Sequence, residues 1–245
     1  MNYATDVSPI VFDLETCGLP NAEDFLEPIP DAVLDDWPVE ADARLKDPVK
    51  IAENIDLKRL AQAGRNAAAV AKVEQTRAAR EDKLALDWNV GRIAALGWWT
   101  EQDGIQARAC PAEPYERNFL NEFWAAARHR TLVGFNIKGF DLRFLVQRSR
   151  YLGVPYPQLD FSKYSRKGIE DLYLMLTFGD GTYDQGAMRR TLHAFAKRFG
   201  IPVTDSIAGK EIPALVAAGK WEAVLSHVTS DVELTVALAR RLEVI

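Results

Sequence analysis

The apolar residues of this chain form short runs and helical repeats that together predict an α/β fold. Residues 9–14, PIVFDL, are an apolar, β-branched run that predicts a buried strand. Two further runs, 91–99 and 104–110, flank a Gly-containing turn and predict a hairpin. Later segments predict a helix at 114–129, a strand at 131–135, a helix from about Lys138 to Tyr151, a strand or short helix at 169–176, and helices at 187–199, 210–219 and 220–243. Strands first, then strand and helix in alternation, indicate a mixed sheet flanked by helices.

Residues 20–88 interrupt this scheme. The first part, to about residue 47, is rich in proline and acidic residues and predicts an irregular loop. Residues 49–83 then predict a long Ala-rich helix whose apolar residues are too sparse for a deep core. Two interpretations of this helix stay open: an arm packed on the domain surface, or a basic lid or partner-binding element. We expect one domain over 1–245, with 20–88 as an insertion within it.

Composition restricts the possible functions. The 245 residues, 48% of them hydrophobic, suit one large globular domain. The net charge of −5 means that a nucleic-acid role would need a local basic groove or bridging metal ions. Cys17 and Cys110 form no CxxC pair, which argues against a disulfide framework or zinc site and fits a reducing cytoplasm. No apolar run approaches ~18 residues, and no signal peptide is visible, so we expect a cytoplasmic protein without a membrane span.

The first motif with candidate chemistry is VFDLETCG, at the end of the first predicted strand. Asp13 and Glu15 lie two residues apart, so their side chains point to the same face of a strand. Two carboxylates this close repel each other unless a cation lies between them, and Mg²⁺ and Mn²⁺ take oxygen ligands of this kind. A polar strand end that enters a loop would have the same pattern.

Two further motifs follow. In GFNIKGFDLRF, residues 134–144, Asp141 falls in the first turns of a predicted helix, where an aspartate also complements the helix dipole. Asn136 in the same motif could be an ordinary N-cap. In HVTSDVELT, His227 and Asp231 are four residues apart and project from nearly the same side of the last predicted helix. Taken singly, such a pair is also typical of a solvated surface.

In this order, the three motifs resemble those of the DEDD (DnaQ-like) superfamily of 3′–5′ exonucleases, which has the ribonuclease H-like fold. The resemblance covers nearly the whole chain apart from 20–88. It is closest to the branch similar to the exonuclease domain of family B DNA polymerases, of phage and bacterial type, in GFNIKGFDLRFLVQRSRYLGV, HAFAKRFGIP and GKWEAVLSHVTSDVELTVALARRL. One departure is clear. The superfamily has either a histidine five residues or a tyrosine four residues before its final aspartate, whereas His227 lies four before Asp231.

The resemblance implies a ribonuclease H-like, five-stranded mixed sheet with a long helical insertion after the first strand. It implies two divalent cations, Mg²⁺ or Mn²⁺, bound by the carboxylates of Asp13, Glu15, Asp141 and Asp231. His227 would orient or deprotonate the attacking water. The implied activity is hydrolysis of single-stranded nucleic acid, DNA more than RNA, from the 3′ end to 5′-nucleoside monophosphates. Replication or repair proteins would be partners, in a bacterial or phage-infected cell.

The resemblance also implies contacts with the bound strand. Leu14 and Thr16 would contact the terminal nucleotide, and Asn136 and Phe140 would line the path of the strand. Basic clusters that could follow the phosphates are Lys163, Arg166 and Lys167, and Arg189 and Arg190. Two other functions stay open, because a fold alone does not imply activity: a non-catalytic nucleic-acid-binding module, and a structure-specific nuclease.

Overall fold

Contacts divide the chain into two compact units. The computed structural model describes residues 8–162, 167–178 and 190–245. The larger unit comprises Met1–Leu19 and Ala85–Ile245, and the smaller unit comprises Pro20–Leu84. Residues 85–88, which the sequence assigned to the insertion, belong to the larger unit, where Trp88 packs against the core.

The larger unit is built on a five-stranded mixed sheet with the first strand at its centre. The strands are β1 (Pro9–Gly18), β2 (Gly91–Thr100), β3 (Gly104–Ala109), β4 (Thr131–Gly134) and β5 (Ile169–Asp171). Their order across the sheet is β3-β2-β1-β4-β5. β2 pairs antiparallel with both β1 and β3, while β4 pairs parallel with β1 and β5. This arrangement confirms the predicted mixed sheet and its β2–β3 hairpin.

β1 is longer than predicted. It continues past residue 14 to Gly18 and stays paired with β2 beyond a bulge between Glu15 and Thr16. Asp13 and Glu15 therefore lie within the strand and not at its end. The residues after Leu14 are polar or small and carry no apolar signal, so it is the pairing with β2 that extends the strand.

Helices flank the sheet, as predicted. They are α1 (Pro48–Leu84), α2 (Glu113–Ala126), α3 (Asp141–Leu152), α4 (Leu172–Leu176), α5 (Leu192–Arg198), α6 (Ile212–Ala217) and α7 (Trp221–Arg241). The ambiguous segment 169–176 holds both a strand, β5, and a short helix, α4. α5 begins later than predicted, because the Thr191 side chain caps it by accepting the amide of Ala194; residues 187–189 lie outside the described ranges. Within those ranges, no helix has both the length and the apolar character of a membrane span.

The turn before α3 differs from the prediction. α3 begins at Asp141 and not near Lys138, and Asn136 is not its N-cap. Asn136 has a φ of 62°, the left-handed conformation that asparagine tolerates better than most residues. The backbone amides of Asn136 and Lys138 each donate to the carboxylate of Asp171, at 2.9 Å. Asp171, at the end of β5, thus holds the turn that presents Asp141.

Alternate residues of β1 divide between two helical layers. Phe12 and Leu14 face the core cluster that contains α2 and α3. Val11 faces the opposite layer, which includes α5 and α7. By the period of two, Asp13 and Glu15 share the face of Val11 and point toward the α7 layer.

α7 comes very close to the sheet at Gly97 of β2. A Cβ atom there would lie 2.9 Å from Cγ2 of Val232 and 3.3 Å from Cγ2 of Val228. Gly97 is also the residue of β2 that pairs with Asp13 of β1. The absence of a side chain at Gly97 therefore lets α7 lie beside the acidic face of β1.

Charge pairing is prominent within the smaller unit. α1 buries none of its residues, and three of its four arginines pair with acids of the segment before it. The pairs are Arg65–Asp35 at 2.6 Å, Arg77–Asp31 at 2.9 Å and Arg80–Glu23 at 2.9 Å. Part of the basic charge that a lid would need is thus already neutralised within this unit.

We predict that Gly97→Ala lowers the free energy of unfolding by about 1–3 kcal/mol, because the new methyl group overpacks the contact with Val228 and Val232. Urea denaturation followed by tryptophan fluorescence measures the change. Gly64→Ala is the control, because Gly64 lies in α1 with no heavy atom within 4 Å of an added Cβ. That variant should be neutral or more stable by up to about 1 kcal/mol. Equal, small effects at both positions would contradict close packing at Gly97.

We also predict that the larger unit folds without Pro20–Leu84. The chain leaves and re-enters this unit at neighbouring positions: the Leu19 amide donates to the Val90 carbonyl at 2.9 Å, and Gly18 pairs with Gly91. Replacement of Pro20–Leu84 by a short Gly/Ser linker should give a soluble protein with one cooperative unfolding transition by circular dichroism. An insoluble or non-cooperative product would show that the core requires the smaller unit.

Candidate functional site

The structure brings the four predicted carboxylates to one cavity of the larger unit. β1 supplies Asp13 and Glu15, the first turn of α3 supplies Asp141, and α7 supplies Asp231. The cavity measures about 590 Å³ and has all four among its lining residues. Residues more than two hundred positions apart in sequence thus meet because β1, α3 and α7 adjoin one another in the fold.

Burial and mutual repulsion govern the electrostatics of this cluster. Asp141 is 4% exposed and Glu15 is 8% exposed. Burial, with the nearby charges of Asp171 and Asp231, raises the pKa of Asp141 to about 7. Burial and the surrounding carboxylates also raise the pKa values of Asp13 and Glu15 well above their usual range. A cluster of this kind is relieved by protons or by a bound cation.

His227 lies inside the cluster and is only 3% exposed. Its Nδ1 is hydrogen-bonded to the carboxylate of Asp205, and its Nε2 lies 3.2 Å from Glu15 Oε1 and 3.9 Å from Asp231 Oδ2. Donor atoms of His227, Glu15 and Asp231 all lie within 4.8 Å of one another, as metal ligands do. Burial alone would raise the pKa of Asp205, but the hydrogen bonds from His227 and from the amide of Ile207 hold it below its usual value.

Three further residues of the site were not predicted as site residues, although His193 begins the HAFAKRFGIP segment of the resemblance. Asp205 holds His227 from the loop before α6, and Asp171 fixes the turn before Asp141. His193, in the first turn of α5, places its Nε2 3.2 Å from Asp231 Oδ1. The only local signal that could have pointed to Asp205 is its position in a short polar stretch, TDS, between Val203 and Ile207.

Three of the four predicted strand-binding residues line the cavity. These are Leu14, Asn136 and Phe140. Thr16 is absent from the lining; it is 7% exposed, and its hydroxyl donates to the carbonyl of Ala85. Alternate strand residues face opposite sides, so Thr16 points away from the acidic face of β1.

Aromatic and basic side chains complete the described lining. Phe135 and Tyr173 both border the cavity, and their ring centroids lie 5.3 Å apart. Arg190, from one of the two predicted basic clusters, also lines it. Lys167 is exposed, and three other members of those clusters lie outside the described residues: Lys163, Arg166 and Arg189.

A protein-family comparison agrees with the motifs. The model of a family described as a predicted 3′–5′ exonuclease related to the exonuclease domain of PolB matches residues 92–245. The match includes Asp141, His227 and Asp231, whereas β1, with Asp13 and Glu15, precedes it. No curated protein sequence matches the chain.

Comparison with solved structures identifies the fold. The chain is similar to the family B DNA polymerase of the hyperthermophilic archaeon Pyrobaculum calidifontis, with a TM-score of 0.56 and 17% sequence identity. The similarity covers 99% of this chain and 25% of the polymerase, so the chain spans about a quarter of that protein's length. The mixed five-stranded sheet with flanking helices is accordingly ribonuclease H-like. Because the family match extends over more than half of its residues, the chain belongs to the family of predicted 3′–5′ exonucleases related to the exonuclease domain of PolB.

Proposed function

We propose that this chain is a metal-dependent 3′–5′ exonuclease that hydrolyses single-stranded nucleic acid and releases 5′-nucleoside monophosphates. The observation that carries the proposal is the convergence of Asp13, Glu15, Asp141 and Asp231 on one cavity of nucleotide-sized volume, about 590 Å³. An enclosed group of four carboxylates has no structural advantage by itself, because each charge raises the cost of the others.

The residues present fit a pair of divalent cations. Burial and the neighbouring carboxylates raise the pKa values of Asp13, Glu15 and Asp141, so the ionised cluster would be stabilised by bound cations. Two ions, Mg²⁺ or Mn²⁺, held by these three residues and Asp231 would supply positive charge for the attacking and leaving oxygens of a phosphodiester displacement. The carboxylates themselves fix where that charge would lie.

The walls of the cavity suit a single-stranded 3′ end. Phe140 and Tyr173 offer aromatic faces, on which a base can stack with little dependence on sequence. Asn136 adds an amide for polar contacts, and Leu14 borders the acidic floor. Arg190 places one positive charge on an otherwise acidic wall, where it can pair with a phosphate. The Thr16 hydroxyl is left out of this proposed binding surface, because it donates to the carbonyl of Ala85.

The comparisons support a proposal for the substrate. A protein to which this chain is similar in fold is a DNA polymerase, and we therefore propose single-stranded DNA as the preferred substrate over RNA. Replication or repair proteins are the proposed partners, in the cytoplasm of a bacterial or phage-infected cell.

The experiment that tests activity and polarity uses single-stranded DNA and RNA labelled at either end, with Mg²⁺ or Mn²⁺. Stepwise shortening of 5′-labelled DNA, blocked by a 3′-terminal cap, is expected; cleavage of capped strands would indicate an endonuclease.

We predict that Asp231→Asn lowers the rate of this reaction by about 10³-fold or more. A catalytic metal ion contributes several kcal/mol, and each 1.36 kcal/mol corresponds to a factor of ten. Glu233→Gln is the matched control, because Glu233 is exposed on the same helix, two residues away. It should retain the wild-type rate. Full activity of Asp231→Asn in single-turnover assays would remove Asp231 from the site.

We predict that the metal-free protein becomes less stable as pH rises, and that bound Mg²⁺ opposes this loss of stability. Without divalent ions, the folded state retains protons on Asp13, Glu15 and Asp141 that the unfolded state releases, so the free energy of unfolding should fall as pH rises from about 4 to about 7. Asp141→Asn should weaken this slope and stabilise the metal-free protein at pH 7 by roughly 1–3 kcal/mol. Saturating Mg²⁺ should stabilise the wild type most at the higher pH, where the carboxylates are ionised.

Urea denaturation at fixed ionic strength, in EDTA and in Mg²⁺, measures these effects. Glu233→Gln again controls for the loss of one negative charge, because its side chain is exposed. A metal-free wild type with the same stability from pH 4 to pH 7 would contradict the repulsion described for the cluster.

A further inference from the structure

The hydrogen bond between His227 and Asp205 determines which nitrogen of the imidazole faces the cavity. An ionised carboxylate can only accept a hydrogen bond. Nδ1 of His227 therefore carries the ring proton and donates a hydrogen bond to Asp205. Asp205 is itself held by the amide of Ile207, at 3.0 Å. The buried ring is therefore fixed, with Nε2 directed into the carboxylate cluster.

Nε2, which carries a lone pair in this tautomer, faces one carboxyl oxygen of Glu15 and one of Asp231, and these atoms need a cation or a proton between them. It lies 3.2 Å from Glu15 Oε1 and 3.9 Å from Asp231 Oδ2. With bonds of about 2.1 Å, adjacent donors of an octahedral ion lie about 3.0 Å apart and opposite donors about 4.2 Å apart. The three donor atoms, all within 4.8 Å of one another, are thus spaced as ligands of a single ion.

We infer that His227 Nε2 is a direct ligand of a divalent ion that Glu15 and Asp231 also bind. Asp205 positions the imidazole ring of His227. The ion is a first-row transition metal such as Mn²⁺ in preference to Mg²⁺. The inference rests on the proposed function and specifies its metal. A carboxylate that accepts from the distal nitrogen of a metal-bound histidine orients the ring and raises its basicity. His227 then binds an ion, in place of the water-activating role expected from the sequence.

Ligand chemistry supplies the preference. Mg²⁺ keeps oxygen ligands and several waters, whereas affinity for nitrogen donors rises from Mn²⁺ through Fe²⁺ to Co²⁺. A site of four carboxylates alone would accept Mg²⁺ and Mn²⁺ on similar terms. One buried imidazole, held ready by Asp205, favours the transition metals, and it does so at the position where the superfamily pattern would have a tyrosine.

Pulsed electron paramagnetic resonance of the Mn²⁺-loaded full chain tests this directly. Modulation from a directly bonded ¹⁴N nucleus is expected in the wild type and absent in His227→Gln. His193→Gln is the matched control, because His193 lines the same cavity and approaches Asp231 from α5. It should keep the ¹⁴N signal. A protonated His227 bridging Asp205 and Glu15 is the competing arrangement, and it predicts Mn²⁺ binding without ¹⁴N coupling in the wild type.

Affinities complete the test. Asp205→Asn should weaken Mn²⁺ binding by ~10–100-fold, the usual effect of losing a residue that orients a ligand, and should change Mg²⁺ binding much less. Calorimetric titration of Mn²⁺ and of Mg²⁺ into the wild type and Asp205→Asn gives the change in affinity for each ion. A wild type without ¹⁴N coupling would overturn the inference by itself, and so would equal losses of Mn²⁺ and Mg²⁺ affinity in Asp205→Asn. Nuclease activity with no ¹⁴N coupling would leave the proposed function standing, whereas ¹⁴N coupling without nuclease activity would refute the function alone.

Discussion

The close approach of α7 to the sheet at Gly97 is the contact on which the site depends. Val228 and Val232 occupy the space that a side chain at Gly97 would fill. On the neighbouring face of the same helix, His227 lies beside Glu15, and Asp231 lies near enough to Asp13 to help raise its pKa. Asp13 is the residue that pairs with Gly97 across the β1–β2 ladder. Apolar packing on one side of α7 thus determines the distance between charged groups on the other.

That packing works against electrostatic repulsion. Packing of the core buries three carboxyl groups close to one another, and burial and mutual repulsion raise the pKa values of Asp13, Glu15 and Asp141. The chain has a net charge of −5, so its proposed action on a polyanion needs a local source of positive charge. Cations held by the cluster would reverse the local field at the position proposed for a phosphate, and an overall basic surface would then be unnecessary.

The sequence predicted the elements whose signal is local. The run in β1, the β2–β3 hairpin and the long amphipathic α7 were all recognisable, and the period of two correctly placed Asp13 and Glu15 on one face. The extension of β1 to Gly18 was missed because it depends on pairing with β2.

The remaining differences have a common physical origin. The conformation at Asn136 is stabilised by the carboxylate of Asp171, 35 residues away, so no cap rule could place it. Asp205 lies in a loop without regular patterning, and His193 lies in a predicted helix whose pattern does not point to the site; both reach it only through tertiary packing. The sequence therefore indicated the carboxylates but not the side chains that orient the groups around them.

Anomalous diffraction from crystals soaked in Mn²⁺, measured on either side of the manganese edge, would locate any ions that the carboxylate cluster binds. We expect Mn²⁺ peaks bonded to the four carboxylates, Asp13, Glu15, Asp141 and Asp231, with one peak within about 2.3 Å of His227 Nε2. Crystals soaked at a saturating Mn²⁺ concentration that show no peak among these carboxylates, or manganese only at exposed surface acids, would contradict a metal site in this cluster.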